Sequence, residues 1–99
     1  MIKITDKILQ LKKTNGTFIV FCEYDSEDVF SDFLEFIHNK LGANVGTENQ
    51  YPYSKSAAII FPFGVATAIC QGGIGCALRI DPGEERVVKD IVERCLVIK

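Results

Sequence analysis

Two rhythms of apolar residues divide this chain. The first is the short strand-like run. KILQLKK and TFIVFCEY flank Thr14-Asn15-Gly16-Thr17. Asn-Gly favours the positive backbone dihedrals of a two-residue type I′ turn, so the pair predicts an antiparallel hairpin. With that turn Leu11 faces Val20 and Leu9 faces Cys22. Side chains alternate, so these four share one face while Ile8, Ile19 and Phe21 take the other. The second rhythm is helical. Phe30, Phe33, Leu34, Ile37 and Leu41 recur at three- and four-residue spacing. They predict a helix from about Asp25 to Leu41, with Asp25 or Ser26 capping it and Gly42 as its left-handed stop.

ANVGTENQYPYSK has little periodicity and reads as a loop over 43–55, long enough to carry function. KSAAIIFPF and VATAICQ, split at Gly64, and then IGCALRI after Gly72-Gly73 read as a meander of central strands. Pro62 cannot donate to a ladder, which places its strand at an edge or a bulge. QGGIGC lies between strand-like runs and opens no helix, so it is a hairpin turn and not a phosphate loop. Gly75 there admits a close approach by another part of the chain. A closing helix is predicted from about Pro82 to Ile98. Asp81 is its N-cap, Pro82 its first position and Glu84 its capping-box partner. Val88, Ile91, Val92 and Cys95 face inward, and Glu85, Arg86, Lys89, Asp90, Glu93 and Arg94 form i,i+4 pairs outside.

The element order is ββαβββα. It predicts a single α+β domain over 1–99, a mainly antiparallel sheet with two helices packed on it. Several strands carry apolar residues on both faces. The second face therefore needs a cover, either the 43–55 loop or a partner.

Composition narrows the class. With 47% apolar and 24% charged residues in 99, the chain is an ordinary globular domain, not a disordered or fibrous one. No apolar run approaches the roughly 18 residues that span a bilayer. MIKITDKILQLKK is interrupted by Asp6 and lysines, unlike a signal peptide. These features predict a soluble cytoplasmic protein that does not engage membrane. Cys22, Cys70, Cys76 and Cys95 each lie in an apolar segment, and none is two to four residues from another. They read as core thiols rather than disulfides or zinc ligands, and no cofactor is expected.

Charge changes the picture more. The net charge is only −2, from 13 acids and 11 bases, which does not suit a nucleic-acid binder. Yet residues 23–35 hold Glu23, Asp25, Glu27, Asp28, Asp32 and Glu35 with no base, a local −6 against +4 elsewhere. At 100° per residue Asp25, Asp28, Asp32 and Glu35 fall within about an 80° arc, away from the apolar stripe. Such a strip is either a solvated face suited to a helix N-terminus or a surface for a basic partner. Phe36 projects beside Asp25 and Asp32 as a candidate interface anchor. Tyr51 and Tyr53, flanking Pro52, add candidate partner contacts. His38, the lone histidine, reads as a boundary residue. No nucleophile motif is present, so the chain is read as a non-enzyme.

In architecture the chain resembles the small acidic immunity proteins of bacterial polymorphic toxin and contact-dependent growth inhibition systems. The resemblance rests on the N-terminal hairpin, the segment YDSEDVFSDFLEFIHNKLG, the apolar three-strand stretch and the closing DPGEERVVKDIVERCLVIK. It implies a non-catalytic antitoxin that binds one cognate toxin domain, often a nuclease, and blocks its active site. The alternatives are a self-associating adaptor, such as a homodimer, and a small ligand-binding enzyme using His38 or a cysteine.

Overall fold

Residues 2–52, 54–71 and 75–97 are described by the computed structural model. The chain runs β1 (Ile2–Thr5), β2 (Ile8–Lys13), β3 (Gly16–Phe21), a 3₁₀ turn (Glu27–Val29), α1 (Phe30–Leu41), β4 (Asn44–Tyr51), β5 (Ser54–Phe61), β6 (Gly64–Gln71), β7 (Gly75–Ile80) and α2 (Glu85–Leu96). The α+β class holds, with both helices on one antiparallel sheet. That sheet has seven strands in the order β1-β2-β3-β7-β6-β5-β4. The element order is βββαββββα, not ββαβββα, because β1 and β4 are strands as well.

β4 corrects the expected 43–55 loop. It is the edge strand, paired with β5 from Asn44↔Ile60 to Tyr51↔Ser54, with a bulge between Val45 and Glu48. Only Val45 of its eight residues is even half-buried. An edge strand exposed on both faces has no reason to alternate, so its backbone ladder is invisible to hydrophobic patterning.

The first hairpin forms two residues out of the expected register. Lys13 pairs with Gly16, Leu11 with Phe18 and Leu9 with Val20, so Thr14 and Asn15 make the turn. An even shift leaves every side chain on its expected face. Among the described residues only glycines have positive φ, so Asn15 does not adopt the type I′ conformation. Gly16, at φ 136°, instead starts β3 where a β-carbon would run into the Ile80 carbonyl of β7.

Three other local expectations change. Pro62 occupies, with Phe63, the turn between β5 and β6, because Phe61 pairs with Gly64. Asp81 does not cap α2 with its side chain. Its carbonyl accepts the Glu84 N–H at 3.2 Å, closing a turn over Pro82-Gly83, and α2 begins only at Glu85. The expected i,i+4 ion pairs of α2 do not close among the described residues; Glu85 pairs with Lys12 at 3.2 Å instead. Gly72-Gly73 and Ile98, where a turn and the helix end were expected, lie outside the described residues.

One contiguous core fills the space between sheet and helices. Phe30, Phe33, Leu34, Ile37 and Leu41 of α1 are all buried, as their spacing requires. They meet Ile19, Phe21, Leu78, Ile80, Cys70 and Ile59 from the sheet, and Val87, Val88, Ile91 and Cys95 from α2. Arg94 ties the helices together. Its Nη1 donates to the Leu41 carbonyl at 2.6 Å, and its guanidinium lies 5.0 Å from the Phe63 ring centre. A cation there meets the negative end of α1 just before Gly42, which takes the left-handed stop at φ 72°.

Pairing partners share a face, so the opposite side of the sheet is also determined. Leu9, Val20, Ala77 and Ile69 form one row across β2, β3, β7 and β6. Leu11, Phe18 and Arg79 form the next. No described element of the chain covers these rows. No described helix is long and apolar enough to cross a membrane.

Candidate functional site

The acidic segment begins where β3 ends. The Tyr24 N–H donates to the Phe21 carbonyl at 3.0 Å, turning the chain across the start of β7. There the Cys76 N–H donates to the Tyr24 carbonyl at 2.7 Å. A β-carbon on Gly75 would sit 3.1 Å from that carbonyl and 3.2 Å from the Asp25 Cα. The close approach expected at Gly75 is thus made by the backbone that launches the acids. Cys76 Sγ adds a weak contact to the Ser26 carbonyl at 3.6 Å.

From Asp25 the acids are presented on three kinds of backbone. Asp25 lies in irregular chain, Glu27 and Asp28 in the 3₁₀ turn, and Asp32 and Glu35 in α1. The single helix face expected from Asp25 to Glu35 is therefore broken at Phe30, and neither Asp25 nor Ser26 makes a side-chain cap. Asp25, Asp28, Asp32 and Glu35 are nevertheless all exposed. None pairs with a base among the described residues, whereas Asp6, Glu23, Asp81 and Glu85 each hold a lysine or arginine. Asp32 lies in the first turn of α1, where the helix dipole favours it. Glu35, a turn further on, has less of that support.

Phe36 does not project as a free anchor. It is half-buried in an aromatic cluster, its ring 5.7 Å from Phe21 and 5.5 Å from Tyr24, and Tyr24 in turn is 5.4 Å from Phe33. It walls a cavity of about 360 Å³ between the β1–β2 turn, the end of β3 and both helices. Tyr24 and Ile8 line the same cavity, and Lys7, Glu23 and Lys40 stand around it. Glu23 pairs with Lys7, which holds the Lys7 ammonium above its ordinary pKa. Burial is the main cause that raises the Tyr24 hydroxyl, and the nearby charges of Glu23 and Asp32 add to it. Tyr24 thus links the acidic strip to the cavity. At the end of the TFIVFCEY run, between Glu23 and Asp25, it read in the sequence only as the last residue of a strand.

Tyr51 is exposed but is not brought to the strip. It pairs with Ser54 on β4, and by alternation its ring belongs to the uncovered sheet face. Three strand spacings, about 14 Å, separate its strand from β7. Tyr53 lies outside the described residues.

His38 Nδ1 lies 2.8 Å from the Ala43 carbonyl, so it donates there and tethers the chain leaving α1. All four cysteines are free. Cys70 and Cys76 face each other across β6 and β7, buried with Cys95 in the core. Burial raises all three thiols, Cys95 to about 12. Cys22 departs from the expected core set. It lies one residue past β3, its N–H on the Lys7 carbonyl at 2.8 Å, and is exposed. Among the described residues no three His, Cys, Asp or Glu side chains are grouped to hold a metal ion.

Comparison with family models, curated proteins and solved structures finds no match to this chain.

Proposed function

We propose that this chain is a non-catalytic binding protein that docks its acidic segment on a basic partner surface, acting as an immunity protein against a cognate toxin domain. One observation carries the reading. Asp25, Asp28, Asp32 and Glu35 form a run of exposed carboxylates without a basic partner among the described residues, whereas Asp6, Asp81 and Glu85 elsewhere on the surface are paired. Concentrated like charge costs self-repulsion, and a basic surface relieves it. A nuclease attracts phosphate and so presents a basic cleft. Carboxylates entering that field speed encounter and exclude the nucleic acid. The cavity beside Phe36 and Tyr24 offers a neighbouring apolar socket for a partner side chain, which would slow dissociation. The protein would act in the cytoplasm, where an incoming toxin meets its substrate.

The partner to test is a toxin domain, sought first in the open reading frame immediately upstream and otherwise by pull-down from the producing cell. Stopped-flow association should slow as salt rises. Asp28→Lys with Asp32→Lys should lower the association rate about tenfold to hundredfold and flatten that salt dependence. Unchanged kinetics in the double variant would remove the acidic strip from the interface.

A further inference from the structure

We propose that the cavity beside Phe36 is a binding site for a small aromatic carboxylate. A small molecule seated there needs no toxin, so the site goes beyond the partner reading, and its ligand would exclude a partner side chain from the same space. At about 360 Å³ the cavity has the size of a small-molecule pocket. Its lining is sorted by depth. Ile8, Phe21 and Cys95 are buried and form the floor. Tyr24 and Phe36 are half-buried walls, and Lys7, Glu23 and Lys40 stand exposed at the rim.

The floor and walls select an aromatic body. The Phe36 ring stands 5.7 Å from Phe21, edge-on, and 5.5 Å from Tyr24, tilted. A flat ligand ring extends that cluster with the same geometry and brings few rotors to immobilise.

The rim selects a carboxylate, because donors outnumber acceptors there. Lys7 gives one contact to Glu23, and an ammonium has three hydrogens to give. Lys40 has no acid partner among the described residues. It lies one turn beyond Phe36 on the same side of α1, and about 12 Å along the helix from Asp32, the strip acid that acts on Tyr24. Thr5 Oγ1 accepts the Lys7 N–H at 3.1 Å, which leaves its own hydrogen to donate. The Tyr24 hydroxyl has no acceptor in the protein among the described residues, and burial helps it keep its proton. Glu23 is the one acid of the lining, and Lys7 already holds it. Two ammonium groups and two hydroxyls fit a ligand head that only accepts, with two oxygens. A cationic head would meet two like charges instead.

NMR titration of the isotope-labelled full chain with phenylacetate tests this. Saturable shifts are expected at the Tyr24, Phe36 and Lys40 amides, with a Kd of about 1 mM. Phenylacetamide, which keeps the ring and lacks the charge, should bind about tenfold more weakly. Lys40→Gln, at an exposed site that leaves the fold intact, should weaken the acid about fivefold and the amide less than about twofold. NOEs should join the ligand ring to the Ile8 methyls and the Phe36 ring. No toxin enters the experiment, so its outcome is read apart from the association kinetics. No saturation up to about 20 mM, an amide or a phenethylammonium that binds as tightly as the acid, an affinity indifferent to Lys40→Gln, or NOEs to Leu11 and Phe18 on the other face would overturn the proposal.

Discussion

The two faces of the sheet are made from the same strands and meet different fates. On one face Ile19, Phe21, Leu78 and Ile59 disappear beneath α1 and α2. On the other Leu9, Leu11, Phe18 and Ile69 are only half-buried, with Ile60 and Val65 open to water. Both faces are apolar, so hydrophobicity alone does not distinguish them. The difference comes from connectivity. The long return from β3 to the far edge strand β4 carries α1, and the tail after β7 carries α2. Both segments cross the same side, and nothing in the described chain is left to cross the other. A covered face contributes to the stability of the single chain, whereas an uncovered one contributes only when something binds it.

Several measurements would break or sharpen that contrast. The largest effect belongs to the covered face. Phe33→Ala removes a ring that touches Phe21, Tyr24 and Phe30, and should cost about 3–5 kcal/mol in urea unfolding. Next comes pH. Cys95 has its folded pKa raised from 9.0 to about 12, so the folded state holds its proton where the unfolded chain has lost it. That contribution is fully present below pH 9.0 and is lost as pH rises through about 12. Cys70, Cys76 and Tyr24 are raised too and act in the same direction. Urea titrations above pH 9 should show the decline, and a Cys95→Ala background should reduce it.

Arg94→Met should cost about 1–2 kcal/mol, through the Leu41 carbonyl and the Phe63 ring together. On the uncovered face Ile60→Thr, in dilute protein, should shift stability by less than about 0.5 kcal/mol. A comparable loss to Phe33→Ala there would mean that the face is buried within one chain. Ellman's reagent at pH 8 should find Cys22 promptly and the other three thiols only after unfolding.

How much of this was legible depends on where each residue stands. The stripe from Phe30 to Leu41 and the inward residues of α2 were readable because a helix against one core must repeat at its own period. The acids from Asp25 to Glu35 were readable as a cluster, since charge needs no fold to be counted. Their presentation was not, because the break into loop, 3₁₀ turn and helix follows from the passage over Gly75. Phe36 and Cys22 were misplaced for related reasons. Phe36 was drawn in by Phe21 and Tyr24 from another element, and Cys22 was released by a strand that ends one residue earlier.

The amino-acid sequence by itself determined the two amphipathic helices, the alternating faces of the strands and the local charge of −6, all of which depend on neighbours a few positions away. Only the tertiary structure decided that 44–51 is a strand, that the first hairpin sits two residues out of the expected register, and that one apolar face stays bare. Those outcomes depend on β3 pairing with β7 and on which side of the sheet the long connections cross. Such choices balance contacts far apart in the chain, and no short window of residues contains them.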